Sequence, residues 1–155
     1  MRLLLASSAD GYLARGPEDD MKWTGPIDKA VFRLLTLSNA DDVLLAGSRT
    51  FDQMPPLPGR RMERLSRGPN GLDLAEAASR WPSAWLIGGP EVSVAALRLG
   101  LVTRAFVCVS QAELREGIHA MELSTLLPHD GPEFTIKVGD VKVMVFTEAQ
   151  KWPAR

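Results

Sequence analysis

The chain lacks most of the features that mark specialised classes of protein. It has one cysteine in 155 residues, which rules out a disulfide framework. That cysteine, Cys108, sits in the apolar run Ala105-Phe106-Val107-Cys108-Val109 and reads as a small core hydrophobe in a reducing compartment. Charge of one sign is also missing. Eighteen Lys and Arg face nineteen Asp and Glu, a net charge of −1, so there is no basic footprint for nucleic acid or an anionic membrane. No apolar run approaches membrane-spanning length. The stretch Met1–Ala9 is too short for a signal peptide, and Asp10-Gly11 follows it at once. The two histidines, His119 and His129, have no ligand-spaced partners, so no metal site is expected. Neither serine nor cysteine has a nearby base to make it a nucleophile. Repeats, low-complexity tracts and linkers are absent.

What is present is an ordinary globular composition, 45% hydrophobic and 24% charged. It predicts one soluble cytoplasmic domain over residues 1–155, a monomer or weak dimer, with no nucleic-acid or membrane partner. Short apolar runs alternate with helical patterns, the arrangement of an α/β sheet with crossovers. Strands are predicted at Arg2–Ser7, Asp42–Ala46, Arg61–Ser66, Ala84–Ile87 and Arg104–Val109. Helices are predicted at Pro26–Ser38, near Arg49–Met54, at Leu72–Trp81 and at Pro90–Leu99. Glu133–Val138 and Val141–Thr147 alternate about Gly139-Asp140, a hairpin signal, so the sheet should be mostly parallel with an antiparallel edge.

In such sheets ligands gather beyond the carboxyl ends of the strands, and four unusual segments follow predicted strands. The first, Ser8–Trp23, carries Gly and Pro and ends in Met21 and Trp23, so it reads either as a flap over a site or as an acidic connector. In the second, Leu45–Phe51, Gly47, Ser48, Arg49 and Thr50 offer amides, hydroxyls and a guanidinium suited to a phosphate, although Ser48 also serves as a simple helix cap. In the third, Leu57-Pro58-Gly59-Arg60 makes a turn that aims Arg60, and Leu65-Ser66-Arg67 ends the next strand. In the fourth, Ile87-Gly88-Gly89-Pro90 opens a helix, and its paired glycines let a diphosphate approach the backbone. Asp28 stands apart from these, an acid on the edge of a buried helical face. It either caps its helix or is met by a polar partner or ligand.

Taken together and in order, Asp10-Gly11, Met21-Lys22-Trp23, Asp28 with Phe32, Gly47–Phe51, Leu57–Arg60, Leu65-Ser66 and Ile87-Gly88-Gly89 resemble dihydrofolate reductase over roughly residues 1–120. The resemblance implies an α/β fold with an eight-stranded, mostly parallel mixed sheet, an antiparallel C-terminal edge hairpin and about four flanking helices. It implies NADPH as cofactor and dihydrofolate as small-molecule substrate. By position, Asp28 would anchor the pterin and assist its protonation, while Met21 and Trp23 would belong to the lid over the nicotinamide. Leu5, Phe32 and Met54 would line the pterin pocket, and Arg60 would take the glutamate carboxylate. Ala6 and Leu13 would meet the carboxamide of the nicotinamide. Gly47, Ser48, Arg49, Thr50, Leu65, Ser66 and Arg67 would hold the adenine side. Ile87, Gly88, Gly89, Pro90, Glu91 and Val92 would face the diphosphate, with a cis peptide joining the glycine pair. Burial is expected to raise the pKa of Asp28 more than the helix N-terminus lowers it.

Several positions depart from the family pattern. Ser48 stands where an arginine is usual, and Pro90 and Glu91 stand where a glycine and a basic residue are common. Ser93 replaces an aromatic hydroxyl, and Val109, or Cys108 with the alignment shifted by one, replaces a threonine that supports the acid. Trp23-Thr24-Gly25-Pro26, Gly88-Gly89-Pro90 and Gly100-Leu101-Val102 also look like the reductase domain of riboflavin biosynthesis, which reduces a ribosyl-aminopyrimidine phosphate. A non-catalytic nucleotide-binding module of the same fold is the third reading.

Overall fold

The computed structural model describes residues 1–154; Arg155, the last residue of the expected domain, lies outside them. Seven strands form the main sheet, in the order β4-β3-β5-β1-β6-β9-β8. They are β1 (Arg2–Ser7), β3 (Val43–Gly47), β4 (Arg61–Leu65), β5 (Trp85–Leu86), β6 (Arg104–Val109), β8 (Phe134–Val138) and β9 (Val141–Phe146). The first five in spatial order run parallel to their neighbours, while β9 pairs antiparallel with both β6 and β8. The remaining strands, β2 (Tyr12–Ala14) and β7 (Ile118–His119), form a separate two-stranded pair, so the eight-stranded count becomes seven plus two. Runs of two or three residues give no periodic signal, which is why neither was foreseen.

Among the described residues five α-helices flank the sheet: α1 (Gly25–Thr36), α2 (Ser48–Gln53), α3 (Leu74–Arg80), α4 (Pro90–Arg98) and α5 (Met121–Thr125). Central strands are buried on both faces, so β3 reads Val43-Leu44-Leu45-Ala46 without alternation. Their side chains divide between two cores. Leu4, Leu44, Ala46, Trp85, Ile87 and Cys108 pack with Val31 of α1, while Leu3, Leu45, Leu86, Ala105 and Val107 pack with Ala77, Ala96, Leu97 and Leu123 of α3, α4 and α5.

At the amino ends of the strands Asp42 ties three segments together. It pairs with Arg2 at 2.6 Å and accepts the Trp85 indole N–H at 3.2 Å, while the Arg2 guanidinium lies 4.1 Å above the Trp85 ring. This closes the end of the sheet opposite the loops and leaves the carboxyl ends free for chemistry. At that other end the β1–β2 connection is pinned by Asp10. Its carboxylate accepts the Ser8 hydroxyl at 2.6 Å and the amides of Leu114 and Arg115 at 3.1 and 2.7 Å. The Ser8 hydrogen bond, backed by those amides, holds the Asp10 pKa down at about 2. Among the described residues no helix is long and apolar enough to cross a membrane.

Candidate active site

Asp28 lies in the first turn of α1 and is only 9% exposed. Among the described residues no cation comes within ion-pairing distance of it. The Thr24 hydroxyl beside it donates to the Met21 carbonyl at 3.1 Å and accepts from Lys29 Nζ at 3.1 Å. Burial pushes the Asp28 carboxyl above its ordinary value, and Thr24 and the Lys29 charge offset part of that rise. Cys108 faces the same side of the sheet from β6. Its thiol is pushed up to about 12, first by burial and then by the Asp28 charge. Strand alternation sends Val109 to the opposite core, so the residue beside the acid is Cys108.

A wall of apolar and aromatic groups continues from Asp28. Phe32, one turn along α1, joins Met54, Leu57 and Ile87 in the same core. The Arg60 guanidinium stands 5.9 Å from the centre of the Phe32 ring and donates to Thr36 Oγ1 at 3.1 Å and to the Pro58 carbonyl at 3.3 Å. Burial, with Arg33 close by, lowers the pKa of Arg60. A guanidinium fixed in this way is suited to an anion. Leu5 does not join this wall. It packs in the core of α3, α4 and α5, on the other face from Phe32 and Met54, and Leu4 takes the place expected of it. Because alternate strand residues face opposite ways, a shift of one position reverses the assignment.

The second half of the site lies where β3 and β5 end. Ile87 N–H donates to the Leu45 carbonyl at 2.9 Å and Gly47 N–H to the Gly88 carbonyl at 3.3 Å, which zips the two strand ends together. A Cβ added at Gly88 or Gly89 would come within 3.3 or 3.2 Å of Thr50, and one at Gly47 within 3.5 Å of Val92. A side chain at Gly88 or Gly89 would press on Thr50 of α2, whereas one at Gly47 would only touch Val92 of α4. The expected cis bond is not found: the glycine pair is trans, and among the described residues no peptide is cis. Gly88 makes the turn through its own φ of +142°, a conformation glycine adopts without strain.

Ser48 is the first residue of α2, whose cap is Gly47 with no side-chain capping bond, so the helix-cap reading of Ser48 fails. Ser48 and Arg49 are exposed and Thr50 is half-buried. Leu65 is buried at the end of β4. The Ser66 hydroxyl accepts the Gly68 amide at 3.4 Å, and Arg67 pairs with Glu91 at 3.4 Å. Ser93 is fully buried and spends its hydroxyl on the Gly89 carbonyl at 2.8 Å, so it does not reach a ligand. A cavity of about 330 Å³ is lined by Leu13, Pro90 and Glu91, together with His119 from β7 and Glu122 from α5. Sequence reasoning reads His119 only as an isolated histidine and gives Glu122 no role, because the short elements that carry them leave no periodic signal. Ala6, near the carboxyl end of β1, pairs with Cys108 of β6.

The segment before α1 is ordered by its acids. Asp19 accepts the amides of Arg15 at 2.6 Å and Met21 at 2.9 Å, and the Trp23 indole N–H at 2.8 Å. Met21 takes a left-handed conformation, φ 58°, where its carbonyl receives Lys29 Nζ at 3.1 Å. Gln53 of α2 donates to the Pro17 carbonyl at 3.0 Å, tying the segment to the wall that carries Met54.

No protein-family profile matches the chain. Two curated dihydrofolate reductases of Mycobacterium tuberculosis, from strains CDC 1551 / Oshkosh and ATCC 25618 / H37Rv, are each 36% identical to it over 106 residues. Those matches cover 61% of this chain and 63% of each relative, so the chain spans less than two thirds of the length of the curated relatives it matches. A solved structure described as a riboflavin biosynthesis protein, from Shewanella sp. PV-4, superposes with a TM-score of 0.65 over 94% of this chain and 97% of its own. At 16% identity that likeness speaks for the fold alone. The chain thus has the dihydrofolate reductase-like fold, and the resemblance to dihydrofolate reductase carried by its motifs is found again across 106 residues of sequence.

Proposed function

We propose that the chain is an NADPH-dependent oxidoreductase that reduces 7,8-dihydrofolate to tetrahydrofolate. The observation that carries this reading is Asp28: a carboxyl buried without an ion pair among the described residues, beside an aromatic wall that ends in a guanidinium. A buried acid in such a setting is costly unless a ligand meets it. A flat heterocycle bearing an amino group and a ring N–H supplies two donors for one carboxylate. Phe32 and Met54 would cover its faces, and Arg60 would grip a carboxylate at the far end of the substrate.

The glycine cradle of Gly47, Gly88 and Gly89, and the amides opening α4, fit a dinucleotide diphosphate. Thr50 packs tightly against the glycine pair, which leaves its backbone open to a ligand. Ser48, Arg49, Ser66 and Arg67 would hold the adenine-side phosphate that distinguishes NADPH. Bound there, the nicotinamide would supply the hydride. The chain's own part is to align the ring carbon of the substrate's C=N bond, to exclude water with the Met21–Trp23 segment, and to keep a proton near the ring nitrogen. A carboxyl raised by burial holds that proton closer to neutral pH than an exposed one would.

A second reading rests on coverage. The riboflavin biosynthesis protein matches the fold over 94% of the chain, whereas the dihydrofolate reductases match the sequence over 61%. In that reading the substrate is a ribosyl-aminopyrimidine phosphate and Arg60 meets no tail. NADPH oxidation followed with each substrate separates the two. Turnover of dihydrofolate is expected, with Arg60→Leu raising KM about 10- to 100-fold, the cost of one charge-assisted contact. Activity on the pyrimidine alone would overturn the folate assignment.

A further inference from the structure

β8 is the one strand of the main sheet whose five residues are all exposed. It pairs with β9 on one side and ends the sheet on the other. Phe134, Ile136 and Val138 stand opposite Val145, Val143 and Val141 and share their face, yet remain 48, 49 and 40% exposed. On the other face Lys137 is directly opposite Lys142, a like-charge pair that destabilises the free edge. An apolar edge strand is ordinarily blunted, and an edge lysine is one usual way to do it. Here the counter-charge lies four residues away, at Glu133 just before the strand, whose Oε2 also accepts the Thr147 hydroxyl.

The segment Pro132-Glu133-Phe134-Thr135-Ile136-Lys137-Val138 is chemically self-complementary about Thr135. Turned antiparallel against a copy of itself in that register, Phe134 meets Ile136 of the copy, Glu133 meets Lys137, Pro132 meets Val138 and Thr135 meets Thr135. Aromatic with β-branched, opposite charges, and Thr with Thr are the three favourable classes of cross-strand pair. The two-fold operation makes every contact except the central Thr135 pair twice, and Lys137, set against Lys142, gains an acid on its open side. Leu34 of α1, 74% exposed, adds apolar surface on the helix that Ile27 brings against the hairpin tip; a Cβ at Gly139 would come within 2.4 Å of Ile27 Cδ1.

We propose that a second copy of this chain docks on β8, joining the two seven-stranded sheets into one through an antiparallel β8–β8 pair centred on Thr135. The inference does not depend on the catalytic reading. Its test is sedimentation equilibrium of the native chain, Lys137→Glu and the swap Glu133→Lys/Lys137→Glu, from micromolar to millimolar concentration. Circular dichroism and amide exchange of residues 133–138 accompany it. The native chain should dimerise, and its β8 amides should be protected as concentration rises. Lys137→Glu, which sets two acid pairs face to face, should raise the dissociation constant about tenfold or more with the fold intact. The swap should restore the native value to within about threefold. A native chain that stays monomeric, a Lys137→Glu variant that dimerises as well as the native, or a folded swap that remains monomeric would each overturn the proposal.

Discussion

Replacing Asp28 by asparagine should make the protein more stable at neutral pH while disabling it. The native carboxyl is nearly enclosed, pairs with no cation among the described residues, and has its pKa raised by burial above the ordinary 3.8. A group whose folded pKa is raised favours the folded state below its unfolded pKa, and that advantage disappears as pH climbs through the folded value. Below about pH 4 native and variant therefore both carry a neutral group and should unfold alike. Toward neutrality the native chain must fold around a charge it cannot solvate, whereas asparagine has none. The gain should open above about pH 4 and level off once the pH has passed the raised folded value. Its size should be about 0.5–2 kcal/mol, the usual release when a strained functional group is removed. In a chain of this length that is about 2–4 °C in melting temperature for each kcal/mol. Urea titrations followed by tryptophan fluorescence at pH 4, 5.5, 7 and 8 would measure it. A difference that is absent, or the same at every pH, would show that the acid is already satisfied within the protein.

Three further perturbations follow from the geometry. Glu91→Gln releases Arg67 and removes a carboxylate from the first turn of α4, so NADPH should bind about two- to fivefold tighter with less change for NADH, read by tryptophan quenching. Gly117→Ala places a Cβ 2.1 Å from the Ala14 carbonyl oxygen at φ +133°, and should cost about 1–3 kcal/mol in urea unfolding by parting β2 from β7. Asp42→Ala removes one partner of the half-buried Arg2, which keeps its bond to the Ser83 carbonyl, and frees the Trp85 indole, a loss of about 1–3 kcal/mol that leaves nucleotide binding unchanged in the folded protein.

Much of this architecture can be read along the chain because local signals agree there. β1 and β6 lie where their apolar runs predict, and Gly139-Asp140 turns the hairpin as its alternation requires. Legibility fails where the pattern is uniform or the partner distant. Leu3-Leu4-Leu5 is apolar throughout, so nothing in the run sets the phase of the strand, and Leu5 is assigned to the face that Leu4 occupies. Val109 and Cys108 pose the same problem, which strand pairing resolves. Glu91 is as ordinary as any helix-start acid until β4 brings Arg67 beside it. The glycine pair is legible as a close approach but not in its backbone geometry, because glycine can turn the chain in several ways and Gly88 does so through a positive φ.

The two aspartates that fasten the stretch from Ser8 to Trp23 share a property with a consequence for acid conditions. Asp10 holds the β1–β2 corner to the loop after β6, and Asp19 gathers two amides and an indole at the other end. Asp10 sits at about 2, and at Asp19 the amides and the indole outweigh burial and draw its pKa down. Both latches therefore work only while ionised, and their grip weakens as protons bind. In acid this front strip should let go while the strands behind it stay zipped, so the protein would lose its doorway before it loses its frame.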